Sequence, residues 1–268
     1  MSAARRVGRT LMALLFAAAL LAPLAAPYSY EEQHRDSVGE PPSARFPLGT
    51  DDLGRDRLSR LLYGARVSLL LAPAAALVSA LLGAAAGALA GWRGGWVERG
   101  VNLAADLFLS LPWMFLLLAV RALLPLNASP PVSLAATFAL LAVLGWAGPS
   151  RVFRAVAANV RDSGFLLQAR ACGCRPSAIL FRHLMPALRP AISAQFWISV
   201  PLFVLSEANL SLLGLGVGEP LPSLGGLLAD LQDYASIPSR PWVLAPAAVL
   251  IAVMTCFQLC VSREEVRP

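Results

Sequence analysis

The chain has 268 residues, 57% hydrophobic and only 14% charged, with a mean hydropathy of +0.64. A soluble domain carries roughly 25% charged and about 45–50% apolar residues, so this composition excludes a soluble all-α domain, whose core has no room for so much apolar surface. The net charge of +6 comes from 22 arginines, with no lysine, against 16 acids; in so apolar a chain it bears on bilayer orientation rather than on nucleic acid, and no nucleic-acid partner is expected.

Crossing a hydrocarbon core takes roughly 20 apolar residues in a helix. Six stretches are read as spans: residues 11–26, 67–92, 101–124, 132–147, 191–213 and 242–261, of which the first and fourth are short. The first follows Arg5, Arg6 and Arg9 and so also has the outline of a signal peptide; Pro27 directly after Ala26 disfavours cleavage there, and a retained span is the reading adopted. The segment 28–66 is charged but balanced, with six arginines and seven acids. In it Thr50 is expected to cap an interfacial helix through "DDLGRDRLSRLLYGAR" that turns Leu58, Leu61 and Leu62 toward lipid. Residues 1–66 are accordingly taken as one unit and 67–268 as the transmembrane domain proper.

In the second span, "GAAAGALAG" repeats Gly83, Gly87 and Gly91 at every fourth position, a stripe that lets helix backbones approach closely. Asp106 lies in the third span, which Pro112 interrupts, and Pro73, Pro201 and Pro246 interrupt others. Such breaks are tolerated where neighbours or water satisfy the freed carbonyls. A sequon, "NAS", begins at Asn127. The segment after the fourth span, 149–189, carries Arg151, Arg154, Arg161, Arg170, Arg175, Arg182 and Arg189 against Asp162 alone. The segments 124–131 and 215–241 share a single base, Arg240. Arginine bias therefore puts both termini and the 149–189 segment in the cytoplasm. The fold class is an all-α polytopic membrane protein of six transmembrane helices, compatible with a transporter, a channel or an intramembrane enzyme.

Cysteines, a histidine and arginines gather in "ACGCRPSAILFRHLMP", residues 171–186. Structural zinc wants four ligands and wider cysteine spacing than Cys172-Gly-Cys174 offers, and the second histidine, His34, falls on the opposite side of the membrane. A Cys–His nucleophile lacks any residue to orient His183. No phosphate loop, HExxH or GxSxG occurs, and "GLGVG" at 214–218 ends a span rather than opening a nucleotide site. Cys172, Cys174, Cys256 and Cys260 do not form a structural disulfide framework. No catalytic residue, metal site or cofactor is assigned. What remains is a shape: "FLLQARAC" forms a short helix, Gly173 breaks it, and Pro176 suits the first turn of the next. That basic, partly apolar elbow reads as a docking surface, because forty residues of linker are unusually long without a task.

The elbow resembles the cytoplasmic EAA loop of ABC-importer permeases, with Gly173 and Pro186 at the family spacing and Ala169, Arg170, Ala171 and His183 matching its peptide-importer form. The family glutamate and first alanine fall at Leu167 and Gln168, so the motif is degenerate at its head. "FPLGTDDLGRDRLSRLLYGARVSL" (46–69) and "SEANLSLLGLGVGEPLPSLGGLL" (206–228) are similar to the second permease of peptide, opine and nickel importers. The resemblance implies the type I permease fold and half of a translocation path. It also implies a second permease as heterodimer partner, two ATPase subunits and an external substrate-binding protein, within membrane lipid. It makes Leu167, Gln168, Ala169, Arg170, Ala171, Gly173, Ile179, His183 and Pro186 the ATPase-coupling residues. Intramembrane carboxylates are costly and face interiors or water, so Asp106 and Glu207, with Pro112 and Asn209, are expected to line or brace the path. Peptide is the cargo the resemblance most suggests; nickel chelates, opines and glutathione use similar permeases. A partner-free channel would transport without ATPases, and a hydrolase using Cys172 would show thiol-dependent activity.

Overall fold

The computed structural model describes residues 3–123, 129–233 and 237–261; Asn127 lies outside them. Among the described residues every regular element is helical, and one isolated antiparallel bridge joins Thr50 to Asp56. Four helical stretches among the described residues are long and apolar enough to cross a membrane: Arg57–Arg93, Pro130–Arg161, Leu180–Leu212 and Pro241–Cys260. A fifth candidate is the pair α4 (Gly95–Ser110) and α5 (Trp113–Ala122), bent by 88°. Helix α1 (Ala3–Leu20) is followed by the single turn α2 (Ala22–Ala25). Its first half carries Arg5, Arg6 and Arg9, which leaves only a short apolar stretch.

Four local expectations are corrected. Pro73 and Pro201 do not interrupt their spans but lie inside the continuous helices α3 (Arg57–Arg93) and α10 (Met185–Leu212), whereas the third span is interrupted at Pro112 as expected. Proline disfavours the helical conformation in the residue before it, and Leu111 is extended with ψ 134°, so the chain turns ahead of Pro112 and α5 starts afresh. The 149–189 segment is largely helical: α6 (Pro130–Leu144) and α7 (Ala147–Arg161) form one long stretch that carries Arg151, Arg154 and Arg161. The fifth span begins earlier than residue 191. Helix α10 (Met185–Leu212) contains both Pro186 and Pro190. Pro186 cannot donate to the Arg182 carbonyl and its ring crowds it; a π turn at Leu180–Leu184, closed by Met185 N–H to Leu180 O, absorbs the conflict.

The fourth correction concerns residues 50–62. No separate interfacial helix forms; α3 runs unbroken from Arg57 to Arg93. Thr50 does not cap it, because its hydroxyl donates to Ser37 O at 2.5 Å and accepts from Glu40 N–H inside the preceding loop. Asp56 caps α3 instead, its Oδ2 accepting from the Ser59 N–H at 2.7 Å and the Ser59 hydroxyl at 2.6 Å. Leu61 is buried rather than turned to lipid.

The chain divides into two compact units, Met1–Pro73 with Arg121–Phe138 and Pro201–Pro268, and Ala74–Val120 with Ala139–Val200. In the first, α1 lies against α12 (Ala245–Val261), with Gly8 facing Leu259 and Cys256, so the two helices run antiparallel. In the second, the glycine stripe of α3 packs on α7. A Cβ on Gly87 would meet the Ser150 carbonyl and come within 2.9 Å of Arg154 N and Phe153 Cβ, so only glycine fits. Glu98 and Arg154 pair at 2.7 Å between α4 and α7, and Ala84, Phe153, Ala157, Leu184 and Leu188 form the core beneath.

Candidate functional sites: an exposed elbow and a buried carboxyl

The elbow forms from α8 (Gly164–Ala171) and α9 (Pro176–Ile179). Helix α8 ends in a Schellman-type turn: Cys174 N–H reaches back to Ala169 O at 3.1 Å and Cys172 N–H to Gln168 O at 2.9 Å. Gly173, at φ +75°, supplies the left-handed residue this turn needs, and apart from its two chain neighbours nothing lies within 4 Å of where its Cβ would be. Residues 171–175 are all exposed, as are Gln168 and Pro186, while Ala169 is half-buried. The side chains of Leu167 and Arg170 lie outside the described residues. His183 sits half-buried against the Phe165 ring, centroids 5.5 Å apart. Ile179 is buried, so among the expected coupling residues it holds the elbow rather than facing outward. Beside the tip, Phe165 is 54% and Phe181 68% exposed, an aromatic surface that the molecule leaves open.

Asp106, on α4, pairs with Arg151 of α7, and both side chains are about half exposed. Pro112 stands exposed at the α4–α5 bend.

Glu207 presents the opposite case. On α10, it is completely buried, and among the described residues its hydrogen-bond partners include no arginine. The hydroxyls of Ser223, Ser211 and Ser68 donate to its carboxyl at 2.7, 2.8 and 3.3 Å. Two of these serines also accept from the first turn of α11 (Leu224–Leu227): Ser223 from Gly226 N–H and Ser68 from Leu224 N–H. The Gly225 backbone bonds to Glu207 as well, and a Cβ there would collide with Ala208 and the carboxyl. Glu207 is thus the point at which α3, α10 and the α11 turn are tied together. Asn209, two positions on and so on another face of α10, is half-buried.

Around this tie the same unit holds an ionic cluster. Arg55 Nε donates to Asp51 Oδ2 at 2.7 Å and its Nη1 to Glu219 Oε2 at 2.6 Å, while Arg60 reaches Glu219 Oε1 at 2.9 Å. Partial burial pushes the Glu219 carboxyl up, but Arg60 and Arg55 outweigh it and hold the group below the ordinary glutamate range. Buried Arg121 donates to the Leu215 and Gly216 carbonyls and to Ser133 Oγ, fixing the glycine-rich exit of α10. Sequence reasoning named Glu207 but missed Ser68, Ser211, Ser223 and Arg121. The i+4 spacing of Ser211 was the one local signal available; Ser68 and Ser223 meet Glu207 only through the fold.

A model of the family described as "Binding-protein-dependent transport system inner membrane component" matches residues 83–263. The oligopeptide transport system permease protein OppC of Mycobacterium bovis is 33% identical over 247 residues, covering 92% of this chain and 83% of that protein. The di/tripeptide transport system permease protein DppC of Pseudomonas aeruginosa is 34% identical over 255 residues, covering 92% and 82%. OppC of Bacillus subtilis is 30% identical over 254 residues, covering 94% and 81%. With its apolar helices, its exposed elbow and a family match across most of its length, the chain belongs to the binding-protein-dependent transport system inner membrane components, as a multi-pass transmembrane permease subunit of an ABC transporter.

Proposed function

We propose that this permease forms half of the translocation path of a peptide importer, paired with a second permease, driven by two cytoplasmic ATPases and supplied by an external binding protein. The peptide cargo is carried over from the names of the OppC and DppC relatives. Six spans with both termini cytoplasmic are part of the proposal: α1 is the first, and its antiparallel packing on α12 puts Gly8 beside Leu259, which supports both chain ends on one side. Asp106 and Pro112 belong to the path wall, since a half-exposed ion pair between apolar helices needs water or a polar neighbour. Glu207 and Asn209 brace the wall.

The observation that carries the coupling role is the open left-handed turn at Gly173, flanked by the exposed rings of Phe165 and Phe181. Apart from its own neighbours Cys172 and Cys174, nothing stands at Gly173 to block a partner backbone, and the rings supply apolar area for it to bury. Gly173→Trp should insert into the membrane normally but fail to retain its ATPases, or fail to couple hydrolysis to transport. Pull-down of the ATPases and substrate-stimulated hydrolysis in liposomes measure both. Retained ATPases together with wild-type hydrolysis and uptake in that variant would remove the coupling role.

A further inference from the structure

Cys172 and Cys174 are both exposed, and they flank the left-handed Gly173 at the tip of the elbow. Residues two apart are separated by at most about 7 Å between Cα atoms even when fully extended, and less in a turn. A disulfide needs roughly 4.4–6.8 Å. The Schellman turn, with Cys174 N–H folded back onto Ala169 O, therefore brings the pair into bridging range. Between residues 163 and 206 the sequence holds Arg170, Arg175, Arg182 and Arg189 and no acid, so the thiols sit in a basic field. Such a field attracts anionic reagents.

We propose that Cys172 and Cys174 are a redox pair that closes to a disulfide by exchange with an anionic low-molecular-weight disulfide of the cytoplasm, and that closure uncouples the permease from its ATPases. One cysteine thiolate attacks a sulfur of the disulfide, forming a mixed disulfide and expelling one small thiolate. The second cysteine then attacks the protein-bound sulfur and expels the other. The protein loses two electrons and two protons, and the reagent leaves as two thiols. The bridge spans Gly173 and covers the face that a partner would need. Exposed, labile disulfides of this kind act as sensors rather than struts. The consequence for coupling rests on the proposed docking of the elbow; the thiol chemistry does not.

The test uses the permease co-expressed with its ATPases, in membrane vesicles with the cytoplasmic face outward. Vesicles are treated with oxidised glutathione or with cystamine, a cationic disulfide. Peptide mapping by mass spectrometry follows residues 172–174, and substrate-stimulated ATP hydrolysis is measured before and after dithiothreitol. The expected result is a Cys172–Cys174 disulfide that forms faster with oxidised glutathione than with cystamine. Stimulated hydrolysis should fall to the unstimulated level and return on reduction. Cys172→Ser and Cys174→Ser should stop at the mixed disulfide. Free thiols after treatment would overturn the redox pair, equal bridging by both reagents would overturn its preference for an anionic disulfide, and neither result touches the docking reading. A bridge that leaves hydrolysis unchanged would overturn the switch if Gly173→Trp still uncouples. If Gly173→Trp also hydrolyses normally, the docking reading itself falls.

Discussion

Replacing Glu207 by alanine removes the acceptor of two buried hydroxyls, those of Ser68 and Ser223, and of the partly buried Ser211 hydroxyl. The two close bonds, from Ser223 at 2.7 Å and Ser211 at 2.8 Å, count in full, and the 3.3 Å bond from Ser68 counts for less. A buried polar group left unpaired costs about 1–3 kcal/mol, and the vacated side-chain volume adds to that. Ser211 can turn its hydroxyl to the carbonyl four residues back, which recovers part of the loss. The net cost expected for Glu207→Ala is about 3–5 kcal/mol. The damage should centre on the α11 turn, whose N–H groups depend on Ser68 and Ser223. Glu207→Gln keeps the volume, accepts through its amide oxygen and donates through its nitrogen, at a cost of about 1 kcal/mol. Thermal unfolding in detergent, followed by fluorescence and by size-exclusion recovery, separates the two variants. Proteolysis after residues 224–228 reports the α11 turn directly. If Glu207→Ala unfolds at the wild-type temperature with α11 equally protected, the tie is not structural. If Glu207→Gln assembles normally yet loses transport, Glu207 acts in the path itself.

Three further outcomes are expected. Gly87→Ala gains about 1 kcal/mol of helix propensity but drives a Cβ into the α7 backbone, so a net loss of about 2 kcal/mol should appear as a lower unfolding temperature; Gly148→Ala, whose Cβ meets nothing within 4 Å, should not lower it. The depressed Glu219 carboxyl stabilises the fold fully above its ordinary value of 4.5, and that contribution is lost as pH falls through the lower folded-state value. Because the Glu219 side chain is 63% exposed, the loss is only about 1 kcal/mol; Glu219→Gln should flatten the acid limb of a stability–pH profile, and an unchanged limb would show that the cluster contributes nothing. A membrane-impermeant thiol reagent applied to intact cells should label Asp233→Cys and leave Cys172 and Cys174 unlabelled; equal labelling would refute the orientation.

The sequence by itself determined the solvent, the class and the family. Composition argues against a soluble domain and the long apolar runs point to lipid-embedded helices, since both depend on no tertiary contact. The glycine spacing at 83, 87 and 91 announced a close helix–helix approach, because the period of four is intrinsic to the helix. The helix–Gly–helix elbow was legible for the same reason: a left-handed turn closed by glycine is a local event, decided within a few residues. Helix limits were not legible wherever proline competed with its surroundings. Pro112 breaks its helix by 88°, while Pro186 and Pro190 are absorbed into α10 behind a π turn. A propensity names the weak point but not whether packing repairs it. The partners of Glu207 were equally hidden. Ser68 lies 139 positions away and Ser223 sixteen, and a serine has no sequence signature for the carboxyl it serves. Only the tertiary structure decided that Asp106 would pair with an arginine and that Glu207 would be held by hydroxyls, because hydrogen-bond partners are chosen by proximity in the folded chain and not along it.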